Sequence, residues 1–456
     1  TDLSGFGNDG LLIPTDTTDT TFYRRQPSTA PLPFISTAHG DFEDSASWHP
    51  HQGVPATQWS RVRLAHRIDL NGPASVTELR IDSLAEIDIQ PQACLTVTDT
   101  VINRRGLLGV IIRSDGSGTG SLLHYCPGIQ STVLRYLEDD MWHYIASPVQ
   151  NALSGVYTGA WMLPYEEPSG GWGAYIGSVW VPLTPARGFA VYASSGTTGD
   201  FTAFIEGNLN QGNISTLPLT NAAQDPLTAG YNLIGNPYPS AIDWEATEGW
   251  TRSHVNGAIY TFDPYRQNYQ TYVDGSSVNG GSCFIAASQA FFVRVRHDHD
   301  SGMVRMDDRV RLHHPNPFLK TSPQTAPSLL LRVISDSSGY ADETALTFHG
   351  APSCGFEPMR DATKLFASNN LVPQIWSVSD DTLAFPLAIN HLGAYLDSLQ
   401  VPFGFRPGHS ASFTLEVAGS SSLPPTARLS LEDLKTGLLH DLKAFPSIAF
   451  FGDPSD

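Results

Sequence analysis

Basic residues are scarce in this 456-residue sequence, which contains 26 Lys or Arg against 45 Asp or Glu. The resulting net charge of −19 disfavours partners that are themselves negatively charged, such as nucleic acid and anionic membranes, unless basic residues are concentrated in one patch. The two basic pairs, Arg24-Arg25 and Arg104-Arg105, are isolated from other basic residues. We therefore expect no nucleic-acid partner.

Long apolar runs are also missing. No run approaches the roughly 20 residues that a membrane-spanning helix needs, so we expect no transmembrane segment. The sequence has only 4 cysteines, and none of them forms a CxxC pair. We expect buried free thiols or one disulfide rather than a metal site among Cys94, Cys126, Cys283 and Cys354.

Motifs that carry catalysis are absent as well. There is no Gly-x-Ser-x-Gly nucleophile elbow, and the Gly/Ser run at 114–121 lacks the Lys and the following helix of a phosphate-binding loop. We expect that the protein is not an enzyme and has no cofactor. A glycosidase or peptidase that assembles carboxylates from distant positions stays open as an alternative.

Glycine and proline are abundant, at 40 and 33 residues, and this favours many short strands joined by turns. In residues 36–130, short runs that alternate apolar with polar residues recur roughly every 7–15 residues. The runs are 62–64, 68–70, 76–81, 87–89, 95–97, 110–112 and 122–123. One strand per turn predicts a parallel β-solenoid-like module, with a meandering sandwich as the alternative.

The rest of the chain also predicts an all-β fold. Residues 131–312 hold aromatic-rich strands without sustained helical spacing, which predicts a large jelly-roll or β-sandwich domain. About six strands in 328–456 predict an immunoglobulin-like β-sandwich, with a short helix at 357–365. We expect an extended arm or linker at 1–35 and a Pro-rich linker at 313–327.

A stiff corner divides the central region at Asn236-Pro237-Tyr238-Pro239. The two prolines fix their own φ angles and push the preceding residues toward extended conformations. The corner follows an apolar strand and has Tyr238 and Trp244 as large packing groups. We expect it to fix the end of that strand against a second sheet.

Several segments resemble the large surface proteins that the type IX secretion system of Bacteroidota exports. The motif at 230–240, Gly-Tyr-Asn-Leu-Ile-Gly-Asn-Pro-Tyr-Pro-Ser, is the most specific match. Further similarity lies in 142–149, 188–192, 207–210, 289–293, 342–343, 361–365 and 431–433. The resemblance covers about 131–451, with weaker likeness at 40–125, where Trp48 and Val54-Pro55 are similar to a common solenoid opening.

This resemblance implies an extracellular location at the cell surface of a Gram-negative bacterium, with secretion machinery as a partner. Family members carry a further C-terminal sorting domain, and this chain ends where that domain would begin. We expect that processing by a sortase or truncation accounts for the ending. The shared motifs of the family are not catalytic, so the resemblance implies no catalytic residue.

Aromatic residues among glycines are the first candidates for ligand binding. Trp161, Trp172 and Trp180, with Tyr165 and Tyr175, could form a platform that stacks on sugar rings of a glycan. The competing interpretation is a buried sandwich core, because large aromatic side chains dominate cores.

Acidic residues supply the candidates for metal binding. Asp336, Asp342 and Glu343 lie around a turn and could offer oxygen ligands to calcium, although their spacing is not that of a recognised calcium loop. Adjacent residues of a strand point to opposite faces, so His297, Asp298, His299 and Asp300 predict a solvated loop more than a metal site. Residues 138–140 form a third, weaker acidic group.

These features predict a secreted structural or adhesive protein. Exposed sheet edges and the arm at 1–35 could pair with a neighbouring copy by strand addition, giving self-association into a filament or a surface complex. The alternative is a carbohydrate-binding module of a larger secreted protein.

Overall fold

The computed structural model describes residues 32–49, 53–314, 328–348, 350, 355–393 and 399–455. Most of the predicted arm and linker, at 1–31 and 315–327, lies outside these ranges. The fold is all-β, with 47% of residues in strands. In the described ranges, helical structure consists of 3-10 turns at Ser45–Ser47, Gly106–Leu108, Ser154–Tyr157, Glu167–Ser169, Asp308–Val310 and Ser420–Ser422. None of the helices in these ranges has the length and apolarity to cross a membrane.

The N-terminal unit is a parallel β-solenoid, as expected. Successive strands alternate between two sheets with the orders β1-β3-β5-β7-β11 and β2-β4-β6-β8-β12, and all of these pairings are parallel. The strands are β1 Phe34–Ile35, β2 Gly40–Asp41, β3 Arg61–Leu64, β4 Arg67–Leu70, β5 Pro73–Ile81, β6 Glu86–Ile89, β7 Cys94–Asn103, β8 Val110–Ile112, β9 Ser114–Asp115, β10 Gly118–Thr119, β11 Ser121–Leu123 and β12 Gln130–Leu137.

Strand alternation builds the solenoid interior. In β6, Ile87 pairs in register with Ile68 on one side and Val110 on the other, and all three side chains are buried. Stacking identical positions in this way gives a continuous apolar core, since every second residue of a strand faces the same side. Trp48 packs at the first turn and donates a hydrogen bond from Nε1 to the carbonyl oxygen of Phe42 at 2.9 Å.

The second sheet continues beyond residue 130. Strand β12 pairs antiparallel over eight positions with Phe201–Asn208, a segment from the aromatic-rich region. The central strands are β13 Met141–Ile145, β14 Trp161–Glu166, β15 Gly171–Trp172, β16 Phe189–Ala193, β17 Phe201–Asn208, β18 Ile214–Ser215, β19 Leu219–Thr220, β20 Tyr231–Gly235, β21 Ala241–Asp243, β22 Trp250–Ser253, β23 Ile259–Asp263, β24 Asn268–Val273, β25 Ser276–Val278, β26 Phe284–Ile285, β27 Ala290–Arg294, β28 Ser301–Met306 and β29 Arg311–Leu312.

Stacked sheets form this central unit. A five-stranded sheet with the order β20-β27-β23-β24-β25 is covered on both faces. Alternate residues of β27 enter different hydrophobic clusters: Phe291 and Val293 pack into one cluster, and Phe292 packs into another. A second sheet with the order β13-β16-β14-β15 contributes Tyr144 and Ala190 to the cluster that contains Phe292.

The C-terminal unit is the expected β-sandwich, built on a sheet with the order β35-β33-β34-β31-β30-β36-β39 and a hairpin of β37 with β38. Its strands are β30 Ser328–Ser335, β31 Ala341–Thr347, β32 Ala362–Thr363, β33 Gln374–Val378, β34 Pro386–His391, β35 Phe403–Arg406, β36 Ala411–Ala418, β37 Ser430–Asp433, β38 Leu438–Asp441 and β39 Ser447–Gly452.

The prediction of a short helix at 357–365 is wrong. This segment forms a turn followed by β32, which pairs antiparallel with β34. Tertiary contacts determine the conformation of this segment. Thr363 and Lys364 both make buried hydrogen bonds, and a helical backbone would place their side chains too far from these partners. Tertiary contacts of this kind commonly override local helix preference.

Candidate functional site

Four aromatic side chains form a row across one sheet of the central unit. Trp142, Tyr192 and Trp161 occupy facing positions on β13, β16 and β14, and Tyr175 packs beside Trp161. Ring centroids are 5.3 Å apart for Trp142 and Tyr192, and 5.0 Å apart for Trp161 and Tyr175. We call these four residues the aromatic row.

The aromatic row is the exposed margin of a buried aromatic cluster. Two residues further along β13, Tyr144 lies on the same face and stacks on Phe262 at 4.9 Å inside the core. At the outer end, Trp161 is 55% exposed and Tyr175 is 52% exposed. One face of the sheet therefore carries aromatic rings from the core out to solvent.

An acidic turn lies next to the aromatic row. Residues 138–140 join β12 to β13, and the hydroxyl of Tyr192 donates a hydrogen bond to Asp140 at 3.1 Å. The neighbouring Asp200 accepts hydrogen bonds from the Tyr136 hydroxyl at 2.8 Å and from the Asp139 backbone at 3.3 Å. Partial desolvation, together with the carboxylates of Asp200 and Asp140, raises the pKa of Asp139. The rings therefore lie beside several carboxylates, which are negatively charged and accept hydrogen bonds.

Of the three tryptophans that the sequence suggested for ligand binding, only Trp161 belongs to the row. Trp172 is partly buried and packs against the core, with its ring centroid 5.1 Å from that of Tyr144 and 5.4 Å from that of Tyr165. Trp180 is 75% exposed, and its ring makes no contact with the row among the described residues. Trp142 and Tyr192 were missed, although period-two spacing from Tyr144 and Ala190 would have placed them on this face.

The calcium candidates have other partners. Asp342 is fully buried and lies 2.5 Å from Lys364 Nζ, and it accepts a hydrogen bond from the Ile375 backbone at 2.7 Å. Asp336 accepts a hydrogen bond from Thr414, and Glu343 accepts one from the Asn279 backbone. Among the described residues, no group of three or more His, Cys, Asp or Glu is placed to hold a metal ion.

The Asp342–Lys364 ion pair lies at a junction between the central and C-terminal units, which we call the C-terminal junction. Asn268 and Asn279 of the central unit each donate a side-chain hydrogen bond to Asp342 at 2.9 Å. The hydroxyl of Thr363 bonds to the hydroxyl groups of Tyr231 at 2.8 Å and Tyr260 at 3.1 Å. One hydrophobic cluster also spans both units, with members that include Tyr231, Tyr260, Ala345, Ala362 and Ile389.

The proline corner forms a second junction, between the solenoid and the central unit, which we call the N-terminal junction. The Pro239 carbonyl accepts a hydrogen bond from the Leu122 backbone at 2.9 Å. Arg311 donates hydrogen bonds to the carbonyls of Leu122 at 3.0 Å and His124 at 2.8 Å, and its guanidinium lies over the Tyr238 ring.

Asn236 holds the corner itself in shape. Its side chain donates hydrogen bonds to the carbonyls of Ser240 at 2.8 Å and Ala286 at 2.9 Å, and it accepts one from the Tyr238 backbone at 3.0 Å. These bonds pair buried backbone groups of the corner and of the segment that precedes β27. The corner therefore joins two units of the molecule.

The remaining candidates are surface or core groups. Asp298 bonds to Arg296 at 3.0 Å and to His299 at 2.9 Å, and the rings of His299 and His254 stack at 3.8 Å, while His297 packs its ring beside Phe385. Of the cysteines, Cys94 and Cys126 are free thiols, Cys283 is buried, and Cys354 lies outside the described residues.

A model of a domain of unknown function, DUF8693, matches residues 34–447. The chain belongs to the DUF8693 family. Comparisons with curated proteins and with solved structures give no match.

The DUF8693 match spans the solenoid, the aromatic row and both junctions. Its description assigns no activity to the family, so the function of this DUF8693 chain has to be argued from its own residues. The two features that need a functional account are the close joining of the three units and the exposed aromatic row.

Proposed function

We propose that this protein is a non-catalytic structural or adhesive protein, exported by type IX secretion to the surface of a Gram-negative bacterium. The observation that carries the proposal is the joining of solenoid, central unit and C-terminal unit by buried polar contacts and a shared core. A molecule built in this way keeps its shape under load, because its units cannot separate without exposing apolar surface and unpaired polar groups.

The export route is supported by the motif at 230–240 and the related segments. In this structure the motif contributes to the N-terminal junction, through Pro239 and Tyr238. We expect surface proteolysis of the source bacterium to release the protein, and inactivation of its type IX machinery to retain the protein inside the cell. Retention of the protein in the cytoplasm of normal cells would overturn this part of the proposal.

A strand edge supports the expectation of self-association. Strand β39 ends the C-terminal sheet and pairs only with β36 among the described strands. Its sequence has no charged residue, Phe451 is 66% exposed, and the nearby Phe445 is 69% exposed. Natural sheets usually protect such edges with charge or proline, so an unprotected edge favours pairing with another strand.

A lysine on this edge tests self-association. We expect the purified protein to show a concentration-dependent rise in mass by light scattering, and Ala449→Lys to abolish the rise because it charges the exposed edge. Leu434→Lys is the matched control, since Leu434 is 88% exposed but lies in the β37–β38 hairpin. A wild-type protein that stays monomeric at every concentration would contradict assembly through β39.

A further inference from the structure

We propose that the aromatic row binds a linear, uncharged glycan, with sugar rings stacked on Trp161, Tyr175, Tyr192 and Trp142. This inference deepens the adhesive part of the proposed function by naming the chemical class that the surface would hold. It rests on three properties of the row: its exposure, its geometry and the charge beside it.

Exposure sets the row apart from ordinary core. Two of its rings are more than half exposed, although the same sheet face continues directly into a buried cluster. Large aromatic side chains dominate cores and interfaces because they lose most when they stay in water. A set of neighbouring exposed rings therefore indicates a surface that is covered by a partner for part of the time.

Geometry indicates an extended partner. The positions of Trp142, Tyr192 and Trp161 follow one another across three hydrogen-bonded strands, so the spacing between rings is set by the sheet. Facing side chains on neighbouring strands lie about 5 Å apart, close to the width of one pyranose ring. Rows of this kind match the repeat of an extended sugar chain, whose flat C–H faces pack against aromatic faces.

Two neighbouring rings at the inner end of the row are held in place. Trp142 packs partly against the buried cluster, and the Tyr192 hydroxyl is held by Asp140. Ring positions fixed in this way reduce the entropy that is lost on binding, which favours a preformed site.

Charge excludes an acidic glycan. Glu138, Asp139, Asp140 and Asp200 lie beside the row, and the whole chain carries a net charge of −19. Carboxylates would repel uronic or sialic acids, but they accept strong hydrogen bonds from the hydroxyl groups of neutral sugars. The ligand class that fits rings and carboxylates together is a neutral, polyhydroxylated chain.

Calorimetric titration of the purified full chain tests the inference. The probes are the linear hexasaccharides of cellulose, xylan, mannan, amylose and chitin, with the acidic hexasaccharides of hyaluronan and alginate for comparison. We expect at least one neutral hexasaccharide to bind and both acidic ones to fail. Trp161→Ala should weaken the binding at least tenfold, because it removes the most exposed indole of the row.

Trp180→Ala is the matched control, since Trp180 is a more exposed tryptophan outside the row, and it should leave binding unchanged. Unchanged thermal unfolding of both variants separates loss of the site from loss of the fold. The inference is overturned if no neutral hexasaccharide binds, if an acidic hexasaccharide binds equally well, or if Trp161→Ala binds as wild type does. Because the assay uses purified protein, its failure is distinct from a failure of surface localisation or assembly.

Discussion

Lys364 shows how much a single buried charge can matter in this protein. Its side chain is 2% exposed, and its partner Asp342 has no exposure. Lys364→Met would leave the carboxylate buried without its cation, and breaking a buried pair from one side costs about 3–5 kcal/mol. We expect the variant to lose that much unfolding free energy in denaturant titrations.

Arg309→Ala is the control for this measurement. Arg309 pairs with Glu248 at 2.9 Å and with Asp307 at 2.7 Å, and its own side chain is 60% exposed to solvent. Exposed pairs contribute about 0–1 kcal/mol, so this change should be nearly silent. Similar losses in the two variants would show that burial of the Asp342–Lys364 pair is not important for stability.

Three histidines, of which His124 is fully buried and His143 and His313 are partly buried, predict acid sensitivity. Burial lowers the pKa of His124, His143 and His313 from 6.5 to about 4 in each case. As pH falls from 6.5 toward 4, these histidines bind protons in the unfolded chain but stay neutral in the folded chain. The free energy of unfolding therefore decreases over this window. Each unit of pKa difference corresponds to about 1.4 kcal/mol.

Unfolding free energies measured at intervals from pH 7.5 to pH 4.5 check this prediction, and His313→Gln should flatten the decline. Asp361 acts in the opposite direction, because burial raises its pKa to about 7 and its protonation therefore favours the folded state as pH falls. Stability that is constant or rising from pH 6.5 to pH 5 would contradict the dominant role of the histidines.

Among the elements, strand β6 lies in the middle of one solenoid sheet and contributes to the solenoid core. Ile87 has no exposure and packs between two neighbouring turns, whereas Leu84, three residues earlier, is 83% exposed. Replacing a buried Ile by Ala costs about 2–5 kcal/mol. We expect Ile87→Ala to lower the thermal midpoint clearly and Leu84→Ala to leave it within error. Equal effects would show that β6 does not pack as described.

The solenoid could be predicted because its pairing partners are close in sequence. Each strand pairs with the strand one turn away, so alternating residues and turn signals specify both strand and neighbour. The junctions could not be predicted in this way: Arg311 and the carbonyls that it binds are 187 and 189 residues apart. A contact between residues this far apart leaves no pattern in the local sequence from which it could be predicted.

The aromatic row could be predicted in part, less well than the solenoid but better than the junctions. Aromatic density alone did not distinguish Trp161, which is exposed, from Trp172, which packs against the core. The deciding factor is how far the neighbouring sheet extends over this face, and that depends on strands from 259 to 294. The alternation of residues along a strand predicts which face of the sheet a side chain lies on. It does not predict whether that face is covered by another part of the chain.

At the scale of the whole molecule, the shared core and the two junctions predict cooperative unfolding. We expect a single calorimetric transition for all three units, because separating them exposes apolar surface on each side. Arg311→Ala should lower the midpoint of this transition without splitting it, because the β12–β17 pairing and a shared hydrophobic cluster still join the solenoid to the central unit. Two transitions in the wild-type protein would contradict the close joining of the units.

The reach of Arg311 also has a consequence for biogenesis. The carbonyls of Leu122 and His124 at the last turn of the solenoid receive the hydrogen bonds of Arg311 only after residue 311 has been synthesised. Until then, the last turn of the solenoid in the nascent chain lacks its contacts with Arg311. Contacts between residues this distant in sequence also form slowly. This end of the solenoid can therefore complete its contacts with the central unit only after the chain has been made through residue 311.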